Sequence, residues 1–420
     1  MATASVLEAP NLVRRLTATL LAGQSMASLA ATGAITVGSI AATQLTGSAA
    51  LAGLPTTMMV LGTALGAYPA GRLMDRYGRR FGLTLGFLIG VIGSLAGVYA
   101  LIGFVPALLF LGHAVMGMAR GALDQGRFAA AEIVTPEHRA RAVSYVVLGG
   151  TVGGIGGPLF IGPTSRLSAQ LGFDLLVGPY FAGLLLFALG VILMFAFLRP
   201  DPRDLGRHLA RIRLTNAVID NTPPRTFREA LHSRNIQTAV AAMVLGQVVM
   251  VTVMVMTPLH MTEHLGHTLD AVSLVIAAHV TGMYVTSVFT GRVADRVGHE
   301  KTILIGSFLL LVACVMAPFA TDVLRLSLAL FTLGAGWNFC YVSGSSLLTD
   351  SLRPNERGRI QGTNDLVVGL VAAFGSLGSG FVFETVGYLG IALAGITLAV
   401  SLFGIALWAL QRRVPIYSEP

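Results

Sequence analysis

Long apolar runs, separated by short polar breaks, dominate this chain. Twelve runs stand out, at approximately 16–40, 50–70, 81–101, 105–127, 143–163, 176–198, 236–258, 270–292, 301–320, 324–347, 362–383 and 388–410. A helix of about 20 residues crosses the ~30 Å hydrocarbon core of a bilayer. The pattern therefore predicts an all-α membrane protein with twelve transmembrane helices. The polar breaks repeat. Gly71–Arg80 reads GRLMDRYGRR and Gly291–Lys301 reads GRVADRVGHEK; Pro136–Ala142 (PEHRARA) pairs with Pro354–Gly362 (PNERGRIQG) at a similar offset. Two motif pairs in register predict a duplication, as in many secondary transporters. The expected layout is a six-helix bundle at 1–198, a linker at 199–235 and a second six-helix bundle at 236–420.

Composition sharpens this picture. Only 11% of residues are charged and 54% are hydrophobic, against roughly 25% charged in a soluble domain. The net charge of +8 comes almost wholly from arginine, Lys301 being the single lysine. These charges sit in the breaks after even-numbered runs: Arg72, Arg76, Arg79 and Arg80; Arg139 and Arg141; Arg292, Arg296 and Lys301; Arg353, Arg357 and Arg359. Arg412 and Arg413 follow the last run. The positive-inside rule then predicts a multi-pass protein of the cell inner (plasma) membrane with both termini cytoplasmic. Charge spread over loops, not gathered on one face, excludes a nucleic-acid partner. The expected partners are the bilayer, a small cargo and, in a coupled carrier, protons.

The basic linker, with Arg199, Arg203, Arg207, Arg211 and Arg213, reads as a solvated connector with an amphipathic helix near 203–219; anionic lipid binding is the alternative. Cys314 and Cys340 lie in apolar runs, so a disulfide framework is not expected. No phosphate-binding loop and no catalytic constellation is present. The chain reads as neither an ATP-driven pump nor an enzyme, and needs no cofactor.

Twelve spans, a basic central loop and GRLMDRYGRR together resemble the major facilitator superfamily. Gly71, Asp75, Arg76, Gly78, Arg79 and Arg80 match its signature loop, and Asp295 and Arg296 stand in the second copy. The resemblance implies a cytoplasmic conformational gate, with Arg127 a candidate partner for Asp75. Topology enforcement alone is the plainer reading. The fifth run, GGTVGGIGGPLFIG, resembles the family's antiporter motif at Gly153, Gly157, Pro158 and Gly162, although Ile161 replaces a glycine. Antiport and simple close packing both explain those residues.

A narrower resemblance is to the CcoA-like (CalT) branch, which includes bacterial copper importers and to which riboflavin carriers are similar. It rests on Met250-Val-Thr-Val-Met254, His279-Val-Thr-Gly-Met283, TPLHM (Thr257–Met261), QGRFAAAE (Gln125–Glu132), GWNF (Gly336–Phe339) and QGTND (Gln361–Asp365). An i, i+4 spacing puts Met250 with Met254, and His279 with Met283, on one helix face each. Thioether and imidazole groups suit a soft cation such as Cu(I), so copper is the candidate cargo. Methionine as core filler is the competing reading.

Other polar groups at membrane depth are few. His113 stands where many family members carry an arginine and is a candidate proton carrier. Asn338 and Cys340 are further cavity candidates. The segment His260–His267, with three histidines, is expected to be a polar outward loop, with cation collection at an entrance as the alternative. The expected function is a secondary transporter working by alternating access and importing copper; the alternative is a proton-coupled antiporter exporting a drug or secondary metabolite.

Overall fold

A computed structural model of the chain describes residues 10–134, 136–206, 225–352 and 357–411. The expected amphipathic helix near 203–219 lies mostly outside these residues, as do Arg207, Arg211, Arg213, Arg353, Arg412 and Arg413 and the side chains of Arg139, Arg141, Arg357 and Arg359. The chain divides into two compact units, one of residues 1–219 with 267–273, the other of 220–266 with 274–420.

The first unit holds α1 (Pro10–Thr46), α2 (Leu54–Tyr77), α3 (Arg79–Ile102), α4 (Pro106–Leu123), the short α5 (Gly126–Glu132), α6 (Pro136–Leu159), α7 (Ile161–Gln170) and α8 (Val177–Phe197). The second holds α9 (Phe227–Ala230), α10 (Arg234–Glu263), α11 (Leu269–Val285) except its first residues, α12 (Ser287–Val297), α13 (His299–Met316), α14 (Val323–Asp350) and α15 (Arg357–Gln411). The described residues form no strand. Helices are the form that satisfies backbone groups within one segment in hydrocarbon.

Nine helices among the described residues are long and apolar enough to cross a membrane, and α11 with α12 makes a tenth, bent by 43°. Two further runs complete the expected twelve. The long α15 breaks at Gly387 (φ 75°, ψ −168°) into two stretches, each long enough to cross. The fifth run, 143–163, falls on α6 and the start of α7. All twelve apolar runs thus fall on helices. The structure also changes two expected loops. Helix α7 occupies most of 164–175, and α10 continues to Glu263, so His260 lies on a helix and His264 caps it. Pro258, in the last turns of α10, did not end it.

The two units repeat one packing scheme. In the first, α1 packs on α6 and α8, α2 on α4, and α3 on α4 and α8; in the second, α10 packs on α15, and α13 on α14 and α15. Glycine sets how near these helices come. A Cβ at Gly62 would lie 2.0 Å from the Ala114 carbonyl oxygen of α4, and one at Gly117 would lie 2.1 Å from that of Met59 in α2. In the second unit a Cβ at Gly334 would lie 2.3 Å from the carbonyl oxygen of His279, and one at Gly282 equally near that of Phe331. Such backbone contact is how membrane helices gain packing energy without a hydrophobic driving force.

Gly117→Val should therefore lower the thermal midpoint of the purified protein sharply, since overpacking costs typically 1–3 kcal/mol. Gly378→Ala, where nothing lies within 4 Å of the new Cβ, should leave it unchanged. Size-exclusion profiles on heating would compare the two.

Candidate functional site

The signature-like loop of the first unit is built around one glycine. Gly78 joins α2 to α3 at φ 105°, ψ 159°, a region essentially restricted to glycine. Its missing side chain also leaves room for Asp201, whose Oδ2 would be 2.3 Å from a Cβ there. The Asp201 carboxylate accepts from the backbone N–H groups of Arg79 and Arg80, both at 3.0 Å. An anion here satisfies orphan donors at the positive end of α3. Arg203 completes the clasp, donating to the carbonyls of Arg76 at 2.9 Å and Asp75 at 3.3 Å at the end of α2. The start of the linker therefore clamps both sides of the turn.

The charged side chains of the loop take separate partners. Arg79 makes a forked pair with Glu132, Nε to Oε2 at 3.0 Å and Nη2 to Oε1 at 2.6 Å, and reaches Asp75 at 3.3 Å. Its guanidinium is only 12% exposed, so this charge pair is held in a partly desolvated place, where bidentate geometry counts most. Arg80 donates to the Phe195 carbonyl at 3.0 Å and lies over the Phe195 ring. Arg76 lies over Tyr77, and Arg127 is exposed over Phe128.

The second unit repeats the turn with weaker chemistry. Gly298 (φ 92°, ψ 158°) takes the place of Gly78. His299 then stands where Arg79 does, and its Nε2 meets Asp350 Oδ2 at 3.3 Å. An imidazole makes an ion pair only when protonated, so this brace is single and conditional where the first is forked and permanent. Asp295 and Arg296 are exposed.

The antiporter-like residues divide between two contacts. Gly153 and Gly157 let α6 meet α1, since their Cβ atoms would lie 2.2 Å from the Ser25 carbonyl and 2.9 Å from that of Leu29. Pro158 sits in the last turn of α6. Gly162, on α7, faces Asp270, which pairs with Arg166.

His113 is fully buried in the first unit. Its Nδ1 lies 2.9 Å from the Leu109 carbonyl and its Nε2 3.4 Å from the Tyr180 hydroxyl. Donation from Nδ1 and acceptance from Tyr180 use the whole capacity of a neutral ring.

The second unit treats its buried histidine differently. His279 is also fully buried, with Nδ1 2.9 Å from the Leu330 carbonyl of α14. A carbonyl only accepts, so Nδ1 carries the proton and Nε2 presents a lone pair. That Nε2 is buried without a hydrogen-bond partner. Met250 is buried, and Met254 and Met283 are half-buried. Asn338 donates to the Met283 carbonyl at 2.6 Å and to Ser287 Oγ at 2.7 Å, and accepts from Thr290 at 2.6 Å. It thereby bridges the break at Thr286 between α11 and α12. Cys340 is buried between Gly246 of α10 and Gly306 of α13. Among the described residues no three His, Cys, Asp or Glu side chains gather as a metal-binding group.

Beside these residues lies a feature that the sequence reading did not single out. Trp337 and Tyr341, one turn apart on α14, stack with ring centroids 4.9 Å apart and planes at 18°. The indole Nε1 donates to Gln247 Oε1 of α10 at 2.7 Å. All three are part-exposed. Gln247 shares a face of α10 with Met250 and Met254, at i, i+3 and i+7. Both helices are near their midpoints here, so a polar and aromatic shelf sits about halfway along α10 and α14.

The comparisons with known proteins agree with this architecture. The family described as the Major Facilitator Superfamily matches residues 20–259 and 238–419. The chain is 34% identical over 380 residues to the uncharacterized MFS-type transporter YdeG of Bacillus subtilis, covering 90% of this chain and 88% of that protein. It is 32% identical over 357 residues to the riboflavin transporter RfnT of Brucella anthropi, covering 84% and 85%. The crystal structure of nucleoside transporter NupG superposes with a TM-score of 0.70 at 15% identity, covering 96% of this chain and 98% of that one. The chain belongs to the major facilitator superfamily and is a multi-pass membrane transporter, not an enzyme.

Arg79→Lys keeps the charge but loses the fork. It should cut initial transport rates at least about fivefold, with Asp201→Asn giving a similar loss. His299→Arg should raise thermal stability, because it installs a permanent charge opposite Asp350. Transport assays at matched membrane levels and thermal scans would check the three.

Proposed function

We propose that this chain is a secondary transporter working by alternating access, and that its cargo is a planar, hydrogen-bonding aromatic solute of the flavin type. The shelf formed by Gln247, Trp337 and Tyr341 carries the reading. Polar groups at mid-membrane depth are costly and are kept where they serve a pathway. Two stacked rings offer a π-face to a flat molecule. Because the indole takes the Gln247 carbonyl, the amide's N–H donors are the half of that side chain suited to a ring-edge acceptor. Transporters of this architecture bind cargo at the midplane, which is the height of the shelf. Similarity to a protein named as a riboflavin transporter, along 84% of this chain, supports the same class.

The expected copper cargo stays as a second reading, favoured by one observation. A ligating histidine commonly donates its other ring nitrogen to a backbone carbonyl, which fixes the tautomer. His279 has this arrangement, with a buried Nε2 and no partner for it. Met250, Met254 and Met283 would supply thioethers. Drug export by proton antiport has no such observation, because Gly153 and Gly157 of its motif are accounted for by contact with α1 and Gly162 by its place against Asp270.

Labelled riboflavin uptake by cells that lack their own carrier tests the first reading. Wild type should accumulate riboflavin well above vector, and Trp337→Ala should lose at least about tenfold at matched membrane level, while Trp337→Phe keeps most of the rate. Wild-type uptake at the vector level would contradict the flavin cargo. Copper content of copper-starved cells decides the second reading. It should rise with wild type and fall with His279→Leu and Met283→Leu if copper is carried.

A further inference from the structure

At the end of α10 remote from the linker, four rings are packed together within the second unit. His260 lies flat on Tyr388, centroids 4.2 Å apart and planes at 3°. His264, one turn further on, has its ring centroid 5.4 Å from that of His260. Phe383 sets its edge against both, at 6.4 Å and 5.4 Å. Tyr388 is itself anchored, its hydroxyl 2.8 Å from Thr257 Oγ1. His260 is therefore wedged against the anchored Tyr388 and the buried Phe383, and its Nδ1 is buried with no hydrogen-bond partner. His264 is exposed.

We propose that His260 and His264 form a binding site for one borderline divalent transition-metal ion, of the zinc or copper(II) kind. Residues at i and i+4 share a helix face, and two imidazoles so placed can close on one ion at the usual nitrogen distance of 2.0–2.1 Å. Borderline divalent ions prefer imidazole nitrogen, whereas calcium and magnesium require oxygen. The aromatic wedge holds one ring before the ion arrives, so only the exposed ring has to be ordered on binding. Among the described residues no third His, Cys, Asp or Glu joins the pair, so water completes the shell and the site stays open to exchange. The site is separate from the shelf at mid-depth and from His279, and it stands or falls independently of the cargo.

The test is titration of Zn²⁺ alone into the purified full-length chain, in detergent and with any histidine tag removed. Wild type should bind one high-affinity equivalent and gain thermal stability with rising zinc, since an ion that binds only the folded state stabilises it. His264→Ala, which removes an exposed ring, should fold normally, weaken binding at least about tenfold and lose the zinc-dependent stability gain. His260→Gln should do the same, and His279→Leu should leave zinc binding intact. Wild type without a zinc equivalent, or unchanged affinity in both His264→Ala and His260→Gln, would overturn the site.

Discussion

In hydrocarbon, a polar group that finds no partner inside the chain has no water to turn to. The structure follows from this constraint. Backbone groups are satisfied by helices, and threonine and serine hydroxyls fold back on carbonyls one turn earlier, as Thr36 does on Thr32 at 2.8 Å. Where a helix must bend, a side chain from a neighbour fills the gap, as Asn338 does for the Met283 carbonyl. Where helices must touch, glycine removes the side chain that would hold them apart. The few polar groups that escape this accounting are then informative. His113 has both ring nitrogens engaged, whereas Nε2 of His279 has no partner, and the Gln247–Trp337 pair lies part-exposed at mid-depth.

The same constraint explains the two ends of the bundles. At the linker end, charges are affordable and are organised. Asp201 and Arg203 close on the Gly78 turn, and Arg79 forks onto Glu132. The duplicated unit keeps the turn geometry at Gly298 but replaces the permanent cation with His299. The two units thus share the backbone device but differ in the strength of its ionic brace. At the other end, aromatic packing around His260 and His264 seals the tip of the second unit.

Much of the fold was legible in the sequence. All twelve runs lie on helices, because a 20-residue apolar stretch has few alternatives. The boundaries at 164–175 and 259–263 were not, since each stretch follows a proline, Pro163 or Pro258, and reads as loop, while the helical backbone bonds continue past it. The site was legible only in part. Periodicity brought out Met250, Met254, His279 and Met283, but it cannot say which ring nitrogen has a partner. The partnership of Glu132 with Arg79, and Asp201 altogether, escaped notice because each acts on a residue more than fifty or a hundred positions away. Trp337 was visible in GWNF, yet its meaning depends on Gln247 from another helix, and no local pattern announces that pair.

The account's central claim is that a flat cargo stacks on Trp337. The chain has two tryptophans, so Trp408→Phe leaves Trp337 as the single indole reporter. Riboflavin titrated into this purified variant should quench its emission saturably, and Tyr341→Ala in the same background should weaken the saturation at least about tenfold. Emission that does not change across a riboflavin range saturating transport would contradict the claim and place the cargo elsewhere.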